Sequence, residues 1–151
     1  GGAIYSNPID FEFGTGTSPA TSKAHSADSH SFLQAYYYVP FDMELISCDV
    51  LFSADELAGD LSGTPEAAKF SVMKYDVSLV NDATSGNLSN GIELFKSKAA
   101  ITLTGEENIQ YDNLRKLNRR VKRGKVILAF AAISDVACDL SINMQLTYSV
   151  I

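Results

Sequence analysis

Apolar and polar residues alternate with a period of two over much of this chain. The clearest run is the last one. Leu140, Ile142, Met144, Leu146, Tyr148 and Val150 are apolar, and Asp139, Ser141, Asn143, Gln145, Thr147 and Ser149 stand between them. Successive side chains of a strand point to opposite faces, so this run predicts a half-buried β-strand. As a helix, the same residues would spread polar groups all around the apolar face. Residues 43–52 predict a second strand, with Ile46, Cys48, Val50 and Phe52 on one face and Ser47 and Asp49 on the other. Residues 69–80 predict a third. Its apolar parity switches between Phe70/Val72 and Met73/Tyr75/Val77/Leu79, which suggests a β-bulge. Residues 31–39 are a Tyr-rich fourth, and 125–133 (KVILAFAAI) read as a strand with both faces covered. Shorter strands are expected at 9–13, 92–95 and 100–104. About eight strands with turn signals between them predict an all-β fold, an antiparallel β-sandwich of jelly-roll-like type.

The segments between strands divide the chain further. Residues 14–29 are small and polar, and 54–68 and 81–91 carry Gly and Pro turn signals. Residues 106–123 are ambiguous. Ile109, Leu114, Leu117 and Val121 are spaced as a short helical face that ends at Gly124, and a helix is preferred there. The expected organisation is an N-terminal arm and polar linker over 1–30 and one sandwich domain over 31–151. Ile4, Tyr5, Ile9, Phe11 and Phe13 form two small apolar clusters in the arm. A free arm would leave them wet, so they are expected to dock on a neighbouring subunit or a larger particle.

Composition narrows the chemistry. The chain has 151 residues, 46% apolar and 20% charged, enough to bury one core without metals or disulfides. No apolar run approaches the roughly 18 residues of a membrane helix, and no membrane partner is expected. Cys48 and Cys138 are the two cysteines. They form no C-x-x-C pair and share strand parity with core residues, so buried thiols in a reducing compartment are favoured over a disulfide. His25 and His30 are the two histidines, both in the polar linker and without a rigid frame for metal or catalysis. Carboxylate pairs such as Asp55/Glu56, Glu106/Glu107 and Asp42/Glu44 read as acidic loop decoration. No phosphate loop, nucleophile elbow or dinucleotide fingerprint occurs. The reading is a non-enzymatic protein without cofactor or metal.

Charge changes the picture more. Net charge is −6, yet Arg115, Lys116, Arg119, Arg120, Lys122, Arg123 and Lys125 are seven of the twelve basic residues. Outside this segment stand 18 acidic and five basic groups, a balance of −13. Nucleic acid is disfavoured as a partner, because Tyr111 is the one aromatic near the segment and the rest of the chain is negative. A solvated face and a protein contact stay open. In the second, the positive patch meets the acidic body of a neighbour and sets register. Tyr36, Tyr38 and Tyr111 are the candidates for the apolar part of such an assembly interface.

The stretch 35–52, AYYYVPFDMELISCDVLF, resembles a pattern of marine phage virion proteins, in which an aromatic strand ends in a Pro-aromatic-Asp turn before a long strand. Residues 121–128, VKRGKVIL, are similar to the family's entry into its penultimate strand, and 146–150, LTYSV, to its final one. The resemblance spans residues 31–151. It implies a jelly-roll β-sandwich in a capsid decoration (cement) protein located in the virion and assembled in the host cytoplasm. The implied partners are its own copies, as a homotrimer, and other virion proteins such as the major capsid protein. The alternative it implies is a tail-fibre or receptor-binding module that recognises a host surface glycan.

Overall fold

A computed structural model of the chain describes residues 2–6, 9–10, 18–19, 21–24, 36–56, 67–77, 87–97, 101–102, 109–133 and 138–151. Among them there is no helix. The strands in chain order are β1 (Gly2–Ser6), β2 (Ile9–Asp10), β3 (Lys23–Ala24), β4 (Tyr37–Tyr38), β5 (Met43–Glu56), β6 (Ala67–Val77), β7 (Asn87–Lys96), β8 (Ile101–Thr102), β9 (Gln110–Asn113), β10 (Arg115–Lys116), β11 (Arg120–Val121), β12 (Val126–Ile133) and β13 (Cys138–Val150). They form the expected antiparallel sandwich. In the first sheet β5 and β13 pair along their whole length, β1 flanks β13, and β9 and β11 share the far edge of β5. In the second sheet β6 lies between β7 and β12. There β3 and β10 extend β7, β2 and β4 extend β12, and β8 meets the start of β6. The β2–β12 pairing is parallel; every other one is antiparallel.

The core fills the space between the sheets. Cys48, Val50 and Phe52 of β5, Met144 and Leu146 of β13, Phe70 and Val72 of β6, and Ile127 and Ala129 of β12 are all buried in it. The Phe52 and Phe70 rings meet at 5.1 Å, tilted. Each large side chain buried this way contributes about 1.5–3 kcal/mol. A second apolar cluster covers the other face of the second sheet: Met73, Tyr75, Leu88, Val126, Leu128 and Phe130, with Tyr36 and Val77 packed on it. β12 is therefore buried on both faces, as its continuous apolar run predicts. The same two-faced burial explains the parity switch in β6, whose residues 70 and 72 enter one cluster and 73 and 75 the other. A register shift does fall at Val72/Met73, but the extra residue, Leu94, is on β7, and β6 stays in step with β12.

Four expectations need correction. Ile46 is not on the core face. It is the extra residue where Thr147 pairs with Ser47 and Tyr148 with Leu45, and this bulge leaves it half exposed while Met43 and Leu45 turn inward. Residues 54–56, 67–68 and 87–91, expected in loops, belong to β5, β6 and β7. Residues 109–121 are strands and not a helix: of the four apolar residues of the supposed helical face, only Leu114 and Val121 are buried, and Ile109 is 79% exposed. Lastly, residues 2–6, expected in an arm set apart from the sandwich, are one of its strands, and the strand expected at 9–13 is present at 9–10 and joins the second sheet. β1 pairs with β13 from Gly2↔Tyr148 to Ser6↔Met144, and β2 pairs with β12. Within the expected 14–29 linker, β3 pairs with β7, the Gly91 N–H donates to Thr21 O (2.8 Å), and Ser18 and Ser71 both donate to Glu93 (2.9 and 2.5 Å).

Candidate functional site

The site with the most distinctive chemistry is built on residues 109–125. This segment runs along the open flank of the sandwich and bonds to both sheets in turn. β9 pairs with β5, and the Leu114 N–H donates to Cys48 O (2.9 Å). β10 then crosses to β7, and the Leu117 N–H donates to Leu94 O (2.8 Å). β11 returns to β5, and Arg119 O accepts from the Leu45 N–H (2.6 Å). Asn118 adds a bond from Nδ2 to Glu93 O (2.7 Å). Backbone groups left unpaired at a sheet edge are a liability, and here one segment satisfies two edges. Leu114 and Val121 are its buried anchors. The remaining side chains have no core to enter, which is why the basic residues lie outside. Arg115, Lys116, Arg119, Arg120, Lys122 and Arg123 are exposed and Lys125 half-buried. Gly124 closes the turn into β12 with φ +89°, a conformation that suits glycine.

Two of the seven cations are neutralised within the chain. Arg119 pairs with Glu44 and Lys125 with Asp76. Arg119 holds the Glu44 carboxyl below its usual pKa, with Arg120 and Lys116 adding to the effect. Lys125 and the Asn90 amide do the same for Asp76. Lys116 Nζ reaches the carbonyls of Leu45 (3.3 Å) and Ile46 (3.4 Å). Lys74 of β6 joins the group, donating to Arg120 O (3.3 Å), and its pKa is pushed down by burial and by Lys125 beside it. Arg115, Lys116, Arg120, Lys122 and Arg123 have no side-chain ion pair among the described residues.

Apolar groups stand at the same end. Arg123 N–H donates to Asp42 Oδ1 (2.8 Å), and Asp42 O accepts from Ile151 N–H (3.1 Å), so the 121–124 turn, the 40–42 turn and the end of β13 meet. Tyr38 (57% exposed), Val150 and Ile151 are exposed there. The other expected interface residues fall elsewhere. Tyr36 packs on the second apolar cluster and is no free surface residue. Tyr111 lies on the outer face of the first sheet, away from the turn. Ile4 and Tyr5 are in β1, opposite Leu146 and Gln145, and Ile9 is in β2, opposite Phe130. Phe11 and Phe13 lie outside the described residues, as do His25 and His30.

Sequence reasoning missed the acidic partners Asp42, Glu44 and Asp76. Glu44 and Asp76 stand 75 and 49 residues from the cations they pair with, Asp42 stands 81 from Arg123, whose backbone N–H donates to it, and no local pattern marks such contacts. It also left the cysteines open. Cys48 is buried and free. It lies opposite Leu146, and Cys138 is eight residues further along β13, about 26 Å away at strand spacing, far beyond the roughly 7 Å limit for a disulfide. Among the described residues no group of His, Cys, Asp and Glu is arranged to hold a metal ion. No known protein family, curated protein or solved structure matches the chain.

Proposed function

We propose that the chain is a non-enzymatic virion structural protein, a capsid decoration protein that binds and stabilises the particle through its basic end. One observation carries the docking role. Five cations of the 115–125 segment have no ion pair among the described residues, while the remainder of the chain is at −13. Like charges held together on a surface repel, and an acidic partner relieves that repulsion. The viral setting comes from the resemblance of residues 35–52, 121–128 and 146–150. The partners are the acidic surface of another copy, closing head-to-tail into a trimer, and the shell protein beneath it. Exposed ion pairs contribute about 0–1 kcal/mol each. The charges therefore set register and rate, and Tyr38, Val150 and Ile151 supply apolar contact.

The test reverses three cations that have no internal ion pair: Arg120→Glu, Lys122→Glu and Arg123→Glu together. Mass by light scattering and co-sedimentation with parent particles are measured at low and high salt. The triple variant is expected to stay monomeric and fail to attach, with its unfolding midpoint close to wild type. The proposal falls if the variant associates and attaches like wild type at both salt levels.

A further inference from the structure

We propose that the outer face of the first sheet is a binding site for a neutral oligosaccharide, with Tyr111 as its stacking platform. This site is separate from the basic end and does not depend on the assembly reading. The argument starts from register. Tyr111 stands directly opposite Leu51, and Asn113 directly opposite Asp49. Yet the Tyr111 hydroxyl donates to Asp49 Oδ1 (2.6 Å), which the Asn113 amide also reaches (2.8 Å). The ring therefore reaches along the diagonal. Diagonal neighbours are about 7–8 Å apart, a span that long aromatic side chains bridge. A tyrosine tied down at its far end lies along the sheet and does not stand off it. It is 62% exposed, so the tied ring is open to solvent. The Asp49 bond also raises the Tyr111 pKa.

Around the ring the face offers hydrogen-bonding groups in two rows. Tyr111, Leu51 and Asn143 make one row, and Asn113, Asp49 and Gln145 the next. At strand spacing the two rows cover about 10 by 7 Å, the footprint of about two sugar rings. Asp49 Oδ2 accepts no hydrogen bond among the described residues and is free to take a hydroxyl. Charge selects the class of ligand. These rows contain no cation, so a phosphate or sulfate would find no counter-charge on them. The amides and the carboxylate all suit hydroxyls. A protein partner is disfavoured by area: Leu51 and Tyr111 are the exposed large apolar residues of the two rows, less than the apolar core of a standard interface.

The experiment titrates the intact chain with cellohexaose, maltohexaose, mannohexaose, xylohexaose and chitohexaose, and with heparin and alginate, by calorimetry, maps bound ones by amide NMR shifts, and follows mass by light scattering. At least one is expected to bind, with shifts centred on Tyr111, Asn113 and Gln145. Tyr111→Ala is expected to weaken binding at least about tenfold with an unchanged melting curve. Tyr111→Phe, which keeps the ring and loses the tie, weakens it less. The Arg120/Lys122/Arg123 triple variant binds as wild type. The proposal is overturned if no hexaose binds at about 10 mM, if Tyr111→Ala binds like wild type, or if only heparin or alginate binds. A change in mass on Tyr111→Ala without any sugar binding would make the face a contact between copies and equally overturn it.

Discussion

Replacing Leu114 by Ala removes one of the two side chains that anchor the 109–121 segment. Leu114 is 3% exposed and sits in the main core cluster, between the point where the segment leaves β5 and the point where it joins β7. The substitution deletes three buried carbon groups at about 0.8 kcal/mol each, or about 2.4 kcal/mol of transfer free energy. The cavity left behind raises the cost to about 3 kcal/mol, because backbone bonds to both sheets prevent collapse. For a chain of this length the midpoint falls by about 6–12 °C. Leu117 is the control. It is 37% exposed, so Leu117→Ala costs about 1 kcal/mol or less. Urea unfolding gives both values, and hydrogen exchange at the Leu45 amide, which donates to Arg119 O, reports the segment directly. That amide is expected to exchange faster in Leu114→Ala than in Leu117→Ala. A helical segment burying 109, 114, 117 and 121 together would make the two variants equally costly, and that result would refute the sheet-bridging account.

Three further outcomes follow from the fold. Burial pushes the Cys48 thiol up to about 12, so at pH 8 it is neutral and enclosed; thiol reagents are expected to label it only after unfolding, and rapid labelling of the native protein would contradict its place in the core. A Cβ on Gly91 would lie 2.6 Å from Tyr75 Cε1 and 3.0 Å from the Thr21 backbone, and Tyr75 is fully buried; Gly91→Ala is expected to cost about 1–3 kcal/mol by overpacking, and a denaturation curve that matches wild type would show that Tyr75 has room to move. Deleting residues 1–10 strips β1 from β13 and β2 from β12; the expected result is loss of cooperative unfolding or a midpoint more than about 10 °C lower, whereas an intact melting curve would restore these residues to the status of an arm.

Strand alternation was legible wherever one face meets the core and the other meets water. The β13 run is the plainest case, and the two-sided burial of β12 was equally readable from its unbroken apolar stretch. What failed shares one physical cause. Residues 109–121 take their stability from backbone bonds to two sheets and need few apolar side chains, so hydrophobic periodicity is weak there and four scattered residues imitated a helical face. The bulge at Ile46 is invisible for a similar reason. It depends on how β13 runs past β5, and nothing local distinguishes Ile46 from Cys48. At the N-terminus a strand was expected at 9–13, but Ile4 and Tyr5 were recognised only as apolar, because five residues carry too little pattern to announce pairing with a strand about 140 residues away. Of the candidate site, the positive charge was visible. The pairing of Arg119 with Glu44, and the tie of Tyr111 to Asp49, were not, because both partners come together only through strand register.

The basic end has a plainer explanation to meet. Charged residues, lysine above all, protect sheet edges from pairing with other chains. That need is small here. The 109–121 segment already satisfies the edges of β5 and β7 with its own backbone, and its two sheet-switching bends offer no long open strand for a stranger to extend. One or two charges would serve. Seven cations in eleven residues, five of them without an internal ion pair, exceed that purpose and add repulsion within the segment. Repulsion of this kind is relieved by water and salt or by a partner of opposite sign. The two causes separate by salt. If edge protection is the whole role, raising ionic strength leaves the mass in solution unchanged. If the charges meet the acidic surface of another copy, added salt shifts the assembly toward monomer, and the Arg120/Lys122/Arg123 variant is monomeric without it.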